Sequence, residues 1–277
     1  MDKLIKYAEN QAKDLHSLII NIDGRRVYSF GDTDERRDIY SATKSILSIA
    51  VGELYESDRL DIDSPLHEYL TDAQRRLIPE NKRADFECLP VTRFLTMSVG
   101  GYPFRPEGES GWLSQALGAD ADYKNAQFSY SNFPALLVGA VCENITGGLA
   151  GYIKDMLYRT ADIKNADVKL TPEGYFYGAS GMKLSCAELE RTGLYLLRHA
   201  DEKSGYYAHA FSPQIKTDSG SYGYYFWLEN GCICISGKWG QKCIISPEDN
   251  RVICYLSTGQ KADEKLYQLA VEVSFAP

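Results

Sequence analysis

Ser41 and Lys44 carry side chains that can act together as a nucleophile and its base. They lie three residues apart in the stretch 38–52, where apolar residues recur at helical spacing, so we expect both side chains on one face of a buried helix. A helix N-terminus favours negative charge, which suits an oxygen nucleophile and the anion it generates. A neighbouring lysine is one way to activate a hydroxyl without histidine. The alternative interpretation is a helix N-cap followed by a solvated lysine.

The Ser-x-x-Lys spacing occurs a second time, at Ser180 and Lys183. This copy lies in a Gly-rich turn ahead of a predicted capping box at 185–188, so it opens no helix. A pattern this short arises by chance about once in a chain of this length. Ser41 therefore needs support from other segments before it is assigned a role.

Tyr130 and Asn132 stand at the start of a strongly apolar predicted helix that begins at Phe133. A tyrosine can relay a proton if lysine ammonium groups lower its pKa. Asn132 can orient both Lys44 and a substrate carbonyl or amide. The alternative is an aromatic packing residue followed by a helix cap. Residues 123–125 repeat the Tyr-x-Asn spacing, but they lie in a polar loop with no helix after it.

A third polar segment, 236–241, connects two predicted strands. Lys238 can supply a second positive charge to the site, and Trp239 separates it from a glycine. Gly240 permits a ligand to approach the backbone at the sheet edge closely. The amide of Gln241 can then point at an oxyanion. The alternative is a bulged hairpin turn with a solvated lysine.

The periodicity of the chain changes twice, and these changes predict the fold. A helix over 2–15 comes first, followed by a hairpin with its turn at Asp23-Gly24. Helical periodicity then dominates as far as residue 210. Strand candidates and a last helix follow at 224–228, 232–236, 242–246, 251–257 and 262–274.

This order predicts an α/β protein of the α+β type, with an antiparallel sheet built from both chain ends, flanking helices and an inserted all-helical lobe. We expect residues 1–40 and 211–277 to form the sheet lobe and residues 41–210 the helical lobe. The active site is then expected in the cleft between the two lobes.

Composition limits the partners that the protein can have. A net charge of −8 disfavours a nucleic-acid backbone and an anionic membrane surface. The N-terminus has no apolar signal core, and no apolar run approaches the roughly 20 residues of a membrane span. An odd number of cysteines, seven, without an export signal favours reduced thiols and a cytoplasmic location. We expect a small-molecule substrate, no metal and no cofactor, and the sequence does not predict the oligomeric state.

The three polar segments stand in the order of the three motifs of serine β-lactamases and penicillin-binding proteins. Ser41-Ala42-Thr43-Lys44 resembles Ser-x-x-Lys, Tyr130-Ser131-Asn132 resembles Tyr-x-Asn, and Lys238-Trp239-Gly240 resembles Lys-x-Gly. The Tyr-x-Asn form is similar to the class C β-lactamase branch, which also holds D-alanyl-D-alanine carboxypeptidases, family VIII esterases and 6-aminohexanoate-dimer hydrolases. Segments such as 95–101 and 178–182 extend the resemblance over nearly the whole chain.

The resemblance implies catalytic roles for four residues. Ser41 would attack a carbonyl, with Lys44 as its base or neighbouring charge. Tyr130 would carry a proton to the leaving group and later take one from water. Asn132 would orient these groups. The expected reaction is therefore acyl transfer through an acyl-enzyme on Ser41.

The resemblance also implies binding roles in the third segment. Lys238 would bind a substrate carboxylate or tune Tyr130, and the amides of Ser41 and Gln241 would form the oxyanion hole. Trp239 departs from the small hydroxylated residue usual at this position in lactamases, and it removes a hydroxyl that would bind a β-lactam carboxylate. We therefore expect a serine hydrolase acting on a small ester, amide or peptide. A β-lactamase or D-Ala-D-Ala carboxypeptidase is the first alternative, and a ligand-binding or sensor protein without turnover is the second.

Overall fold

The described part of the chain, residues 1–273 of a computed structural model, forms eleven α-helices and twelve β-strands. The helices are α1 (Asp2–Asn10), α2 (Thr43–Glu56), α3 (Asp72–Arg75), α4 (Glu80–Phe86), α5 (Val91–Leu95), α6 (Trp112–Gly118), α7 (Phe133–Thr146), α8 (Leu149–Ala161), α9 (Cys186–Leu197), α10 (Tyr206–Ala210) and α11 (Glu264–Val271). The strands are β1 (Leu15–Ile22), β2 (Arg25–Gly31), β3 (Arg37–Asp38), β4 (Val99–Gly100), β5 (Asp122–Ala126), β6 (Lys183–Leu184), β7 (Ile215–Lys216), β8 (Ser221–Tyr222), β9 (Trp227–Glu229), β10 (Cys232–Gly237), β11 (Gln241–Ser246) and β12 (Arg251–Ser257).

Eight of the strands form one antiparallel sheet in the order β2-β1-β12-β11-β10-β9-β8-β7. Strands β1 and β12 are neighbours and pair from Leu15 and Ser257 to Ile22 and Arg251. The two ends of the chain therefore meet inside the sheet, which confirms the predicted fold class. The hairpin predicted from Asp23-Gly24 is present, and both residues have the positive φ, 52° and 74°, that a tight hairpin turn needs.

The strand predicted at 224–228 is wrong over its first half, since β9 begins only at Trp227. Tyr225 has a φ of +65°, which strand geometry does not allow. The carbonyls of Tyr224 and Tyr225 accept hydrogen bonds from two serines of α2, Ser48 at 2.6 Å and Ser45 at 2.7 Å. These bonds attach the segment to the central helix instead of to a neighbouring strand.

Helices cover both faces of the sheet. On one face, Leu4 of α1 and Leu266 of α11 pack with Ile20 of β1 in one apolar cluster. Helix α11 is shorter than the predicted 262–274, and residue 274 lies outside the described residues. On the other face α9 packs against β1, β11 and β12, although its residues fall in the range predicted for the helical lobe. The division into two lobes remains a prediction.

Helix α2 is buried along most of its length and contacts both α7 and α8. Its apolar and polar sides are both covered, as expected for a helix at the centre of a protein. No single helix within residues 1–273 has the length and apolar character to cross a membrane. Helices α7 and α8, which are bent by 87° relative to each other, reach that length only when taken together.

Candidate active site

Ser41 lies in a short 3-10 turn, Tyr40–Ala42, that leads into α2. Tyr40 adopts a left-handed conformation with a φ of +48°, which costs a bulky residue about 1–3 kcal/mol. The turn is held by the Thr43 hydroxyl, which donates to the Tyr40 carbonyl at 2.7 Å. The sequence predicts Ser41 within the first helical turn. The structure places it just before α2, where the positive end of the helix dipole favours a negative charge on its oxygen.

Lys44 is buried, with 1% of its surface exposed, and its Nζ is surrounded by three oxygen atoms. Nζ lies 3.3 Å from the Ser41 hydroxyl, 2.7 Å from Oδ1 of Asn132 and 2.9 Å from the carbonyl of Ala179. Gly178 allows the segment carrying Ala179 to pass beside α2, because a Cβ there would lie 2.4 Å from Leu47. Tertiary contacts thus bring the lysine and the serine into one polar cluster.

Burial lowers the pKa of Lys44 to about 7, because the charged ammonium loses its hydration. A neutral amine has two N–H groups and one lone pair. The two N–H groups can donate to Asn132 and Ala179, and the lone pair is then directed at the Ser41 hydroxyl. Lys44 is therefore able to accept the serine proton near neutral pH.

Tyr130 lies beside Ser41 within a group of aromatic rings. Its ring stacks on Trp227 with centroids 5.7 Å apart, and Nζ of Lys44 lies 4.9 Å from its ring centroid. Burial raises the pKa of Tyr130 to about 12, and a hydrogen bond with the Ser41 side chain offsets only part of this shift. The condition stated for a proton relay, a pKa lowered by lysine ammonium groups, is therefore not met, because burial is the larger effect and raises the pKa. Tyr130 is therefore a proton donor at neutral pH.

Asn132 connects the cluster to the rest of the cleft. Its Oδ1 accepts from Lys44, and its Nδ2 donates to the hydroxyl of Tyr177 at 3.0 Å. Its backbone amide donates to the carbonyl of Phe104 at 2.9 Å, which ties a long loop to the start of α7. The structure thus brings together all four residues to which the sequence assigned catalytic roles.

The third segment is only partly at the site. Lys238 and Trp239 form the β10–β11 turn and line the same cavity as Ser41. Nζ of Lys238 lies 4.3 Å from the Trp239 ring centroid, and that ring meets Tyr40 edge-on at 5.1 Å. Gly240 does not line this cavity; it lines a different one, beside Ser257.

Gln241 is also directed away from the cavity with Ser41. It pairs with Gly237 in the hairpin and has 2% of its surface exposed. Its side chain donates to the Ser257 carbonyl and accepts from the Ser257 amide, both at 3.1 Å. These side-chain bonds hold β11 to β12 and explain why the glutamine is buried. They do not involve its backbone amide, the group predicted for the oxyanion hole.

The cavity around Ser41 has a volume of about 560 Å³. Aromatic rings supply much of its wall, and they belong to Tyr40, Phe104, Tyr130, Trp227 and Trp239. Phe104 is 60% exposed at the mouth of the cavity. The site therefore combines a polar cluster at its base with walls that suit an apolar acyl or leaving group.

A comparison with models of known protein families shows to which family this chain belongs. The model of the family described as Beta-lactamase matches residues 16–273. The chain belongs to the beta-lactamase family. This finding agrees with the resemblance seen in the motifs.

Three solved structures of similar fold have hydrolase or penicillin-binding descriptions. A D-stereospecific amidohydrolase from Streptomyces sp. matches with a TM-score of 0.75 and 14% identity, over 99% of this chain and 99% of that one. The penicillin binding protein from Bacillus halodurans matches with a TM-score of 0.74 and 17% identity, over 98% of this chain and 100% of that one. A proposed 6-aminohexanoate-dimer hydrolase from Bacillus anthracis matches with a TM-score of 0.72 and 16% identity, over 98% of this chain and 79% of that one. A comparison with curated proteins found no match. At these identities the likeness shows the fold of the beta-lactamase family.

Sequence reasoning missed Gly237, which brings the third segment of this beta-lactamase family member close to the turn that carries Ser41. A Cβ at Gly237 would lie 2.1 Å from the carbonyl oxygen of Ile39, so only glycine lets β10 approach the turn that carries Ser41. The neighbouring Ser236 also lines the cavity, and its hydroxyl accepts from Nζ of Lys242 at 2.7 Å. Only the strand register, which pairs Ser236 with Lys242, reveals this contact.

Replacing Gly237 by alanine is expected to lower activity and to destabilise the fold by about 1–3 kcal/mol, because the added methyl group overlaps the Ile39 carbonyl. Urea denaturation and ester hydrolysis would measure the two effects. The matched control is Gly151→Ala in α8, where a Cβ meets no atom within 4 Å and alanine improves helix propensity. Equal behaviour of the two variants would contradict the assigned role of Gly237.

Proposed function

We propose that this chain is a serine hydrolase that forms an acyl-enzyme on Ser41 and acts on a small ester, amide or peptide. The observation that carries the proposal is the environment of Lys44. A lysine that is 1% exposed, with a pKa of about 7 and its Nζ 3.3 Å from a serine hydroxyl, is suited to general-base catalysis. A purely structural buried lysine would gain more from a carboxylate partner, and Lys44 contacts an amide and a carbonyl instead.

In the proposed acylation step, the lone pair of Lys44 takes the hydroxyl proton of Ser41 as Oγ attacks the substrate carbonyl. The C–O bond to Oγ forms and the carbonyl oxygen becomes an oxyanion. When the intermediate collapses, the bond to the leaving oxygen or nitrogen breaks. The Tyr130 hydroxyl donates its proton to that atom, and the Lys44 ammonium restores the phenol. In deacylation, water attacks the ester carbonyl on Ser41 and gives a proton to the neutral Lys44 amine. The bond between the carbonyl carbon and Oγ then breaks, Oγ takes that proton back, and the acid is released.

The oxyanion in this proposal is held by backbone amides of Ser41 and Lys238. Lys238 follows Gly237, which packs against Ile39, and it lines the cavity with Ser41. It therefore replaces Gln241, which the sequence favoured but which pairs inside the hairpin. The N-terminus of α2, directly after the nucleophile, adds a favourable dipole at the developing charge.

Covalent labelling tests the proposal directly. A fluorophosphonate is expected to add one phosphonyl group to the wild-type protein, on the peptide that contains Ser41, with loss of fluoride. Intact-mass and peptide mass spectrometry would locate the group. The Ser41→Ala variant should gain no mass, whereas Ser180→Ala, which removes another serine lining the cavity, should be labelled like the wild type. An unlabelled wild-type protein, or labelling that survives in Ser41→Ala, would contradict the proposal.

A further inference from the structure

A second cavity adjoins the one that contains Ser41. The two share Arg105, Asn132 and Ser180 in their walls. The second cavity extends from Asn132 towards Lys169, and its remaining walls include the rings of Trp112 and Tyr177. Its entrance is therefore beside the proposed catalytic cluster, and a substrate of sufficient length can occupy both cavities.

The ammonium group of Lys169 is held over two aromatic faces. Its Nζ lies 5.5 Å from the Trp112 ring centroid and 5.8 Å from that of Tyr177. The base of its side chain packs over Gly181, where a Cβ would lie 2.5 Å from that of Lys169. The Lys169 carbonyl accepts from the Tyr177 amide at 2.8 Å. Aromatic faces attract a cation without neutralising it, so this positive charge remains available to a ligand.

Arg105 supplies a second positive charge on a loop that is attached to the catalytic cluster. The two residues before it, Pro103 and Phe104, accept hydrogen bonds at 2.6 Å from the Ser131 hydroxyl and at 2.9 Å from the Asn132 amide. Within residues 1–273, neither Arg105 nor Lys169 has a carboxylate oxygen within 4.0 Å.

The side chains that line this second cavity carry more positive than negative charge. Arg105 and Lys169 contribute two positive charges, and Glu107 is the carboxylate that lines it. The chain as a whole has a net charge of −8, so a local excess of positive charge beside the nucleophile runs against the overall composition. Such a pair is suited to a carboxylate, which can accept from the guanidinium and the ammonium together.

We propose that the second cavity binds a carboxylate of the substrate while the scissile carbonyl lies at Ser41. Tyr130, the proposed proton donor to the leaving group, lines the first cavity and not the second. The carboxylate therefore belongs to the acyl part. The substrate class is an ester or amide in which one end of a dicarboxylic acid, or of a similar acidic acyl chain, remains ionised. This inference rests on the proposed function and names its substrate class.

Two esters that differ only at the distal carboxyl group, which is ionised in one and methylated in the other, test this inference: p-nitrophenyl hydrogen pimelate and its methyl ester. The wild-type protein is expected to hydrolyse the anionic ester with a kcat/KM about tenfold higher, the effect of one charge-assisted hydrogen bond. The double variant Arg105→Met/Lys169→Met should lose this preference, with a much smaller loss for the methyl ester. Added NaCl should also reduce the preference, because both side chains are exposed to solvent.

Lys164→Met is the matched control. Nζ of Lys164 lies 5.8 Å from the ring centroid of Tyr158, so it repeats the cation–aromatic contact away from both cavities. This variant should keep the wild-type preference. Equal kcat/KM values for the two esters in the wild type, or a preference that survives in the double variant, would overturn the inference. Loss of the preference only in Lys238→Met would also overturn it, because the carboxylate would then bind at the β10–β11 turn.

The proposed function can fail independently of this site. If neither ester is hydrolysed and no fluorophosphonate adduct forms on Ser41, the hydrolase proposal is wrong. The affinity for monomethyl pimelate, measured by calorimetry, would then test the carboxylate site independently of any hydrolysis. Binding to the wild type that is about tenfold weaker in the double variant supports the site. Absence of binding, or equal binding to both proteins, overturns it.

Discussion

Replacing Ser41 by alanine is expected to abolish turnover of esters and amides, with a fall in kcat of at least about 10⁴-fold. The variant lacks the oxygen that would form the acyl-enzyme. Within residues 1–273, the other oxygen atoms that accept from Nζ of Lys44 belong to the Asn132 amide and the Ala179 carbonyl, and neither is a nucleophile. A spectrophotometric assay with p-nitrophenyl esters would measure the loss.

The control for this prediction is thermal unfolding of the same variant. The Ser41 hydroxyl is only partly buried and its contact with Lys44 is long, at 3.3 Å, so the melting temperature should change little. Ser212→Ala, which removes an exposed serine that lines neither cavity, should retain its activity. Near wild-type turnover by a folded Ser41→Ala protein would show that the nucleophile lies elsewhere.

Replacing Lys44 by methionine is expected to lower kcat by about 10²–10⁴-fold, the range for loss of a general base. Methionine approximates the length of the buried side chain but has no amine to accept the Ser41 proton. The matched control is Lys82→Met, because the Lys82 side chain is also mostly buried, with 13% exposed, but donates to the Ala119 carbonyl away from the cavity that contains Ser41. Equal losses in the two variants would argue against a specific role for Lys44.

The pH dependence of the wild type provides a second measurement on Lys44. Its pKa in the folded protein is about 7, below the ordinary lysine value of 10.5. The amine is therefore protonated and inactive as a base below that pH, and kcat/KM should rise with pH through about 7 and then level off. Tyr130, with a pKa of about 12, keeps its proton throughout this range. A profile that is flat or falls through pH 7 would contradict the role of Lys44 as the base.

The sequence by itself determined the features that depend on short separations along the chain. The three-residue spacing of Ser41 and Lys44 places both on one side of a turn and helix, whatever surrounds them. Asp23-Gly24 defines a hairpin because both residues tolerate a positive φ. The capping box at Ser185 begins α9 as expected. The order of three motifs was then sufficient to indicate the beta-lactamase family.

Only the tertiary structure decided which residues of the third segment lie close to Ser41. Gly237 and Gly240 are equally plausible in the sequence, but strand register and the approach of β10 to Ile39 select Gly237. The pKa of Tyr130 is likewise raised by burial, and the Trp227 ring that stacks on Tyr130 is distant from it in the chain. Arg105 and Lys169 meet at one cavity although no local pattern connects them. Strand pairing, burial and charge proximity are properties of residues far apart in sequence, so no local pattern can specify them.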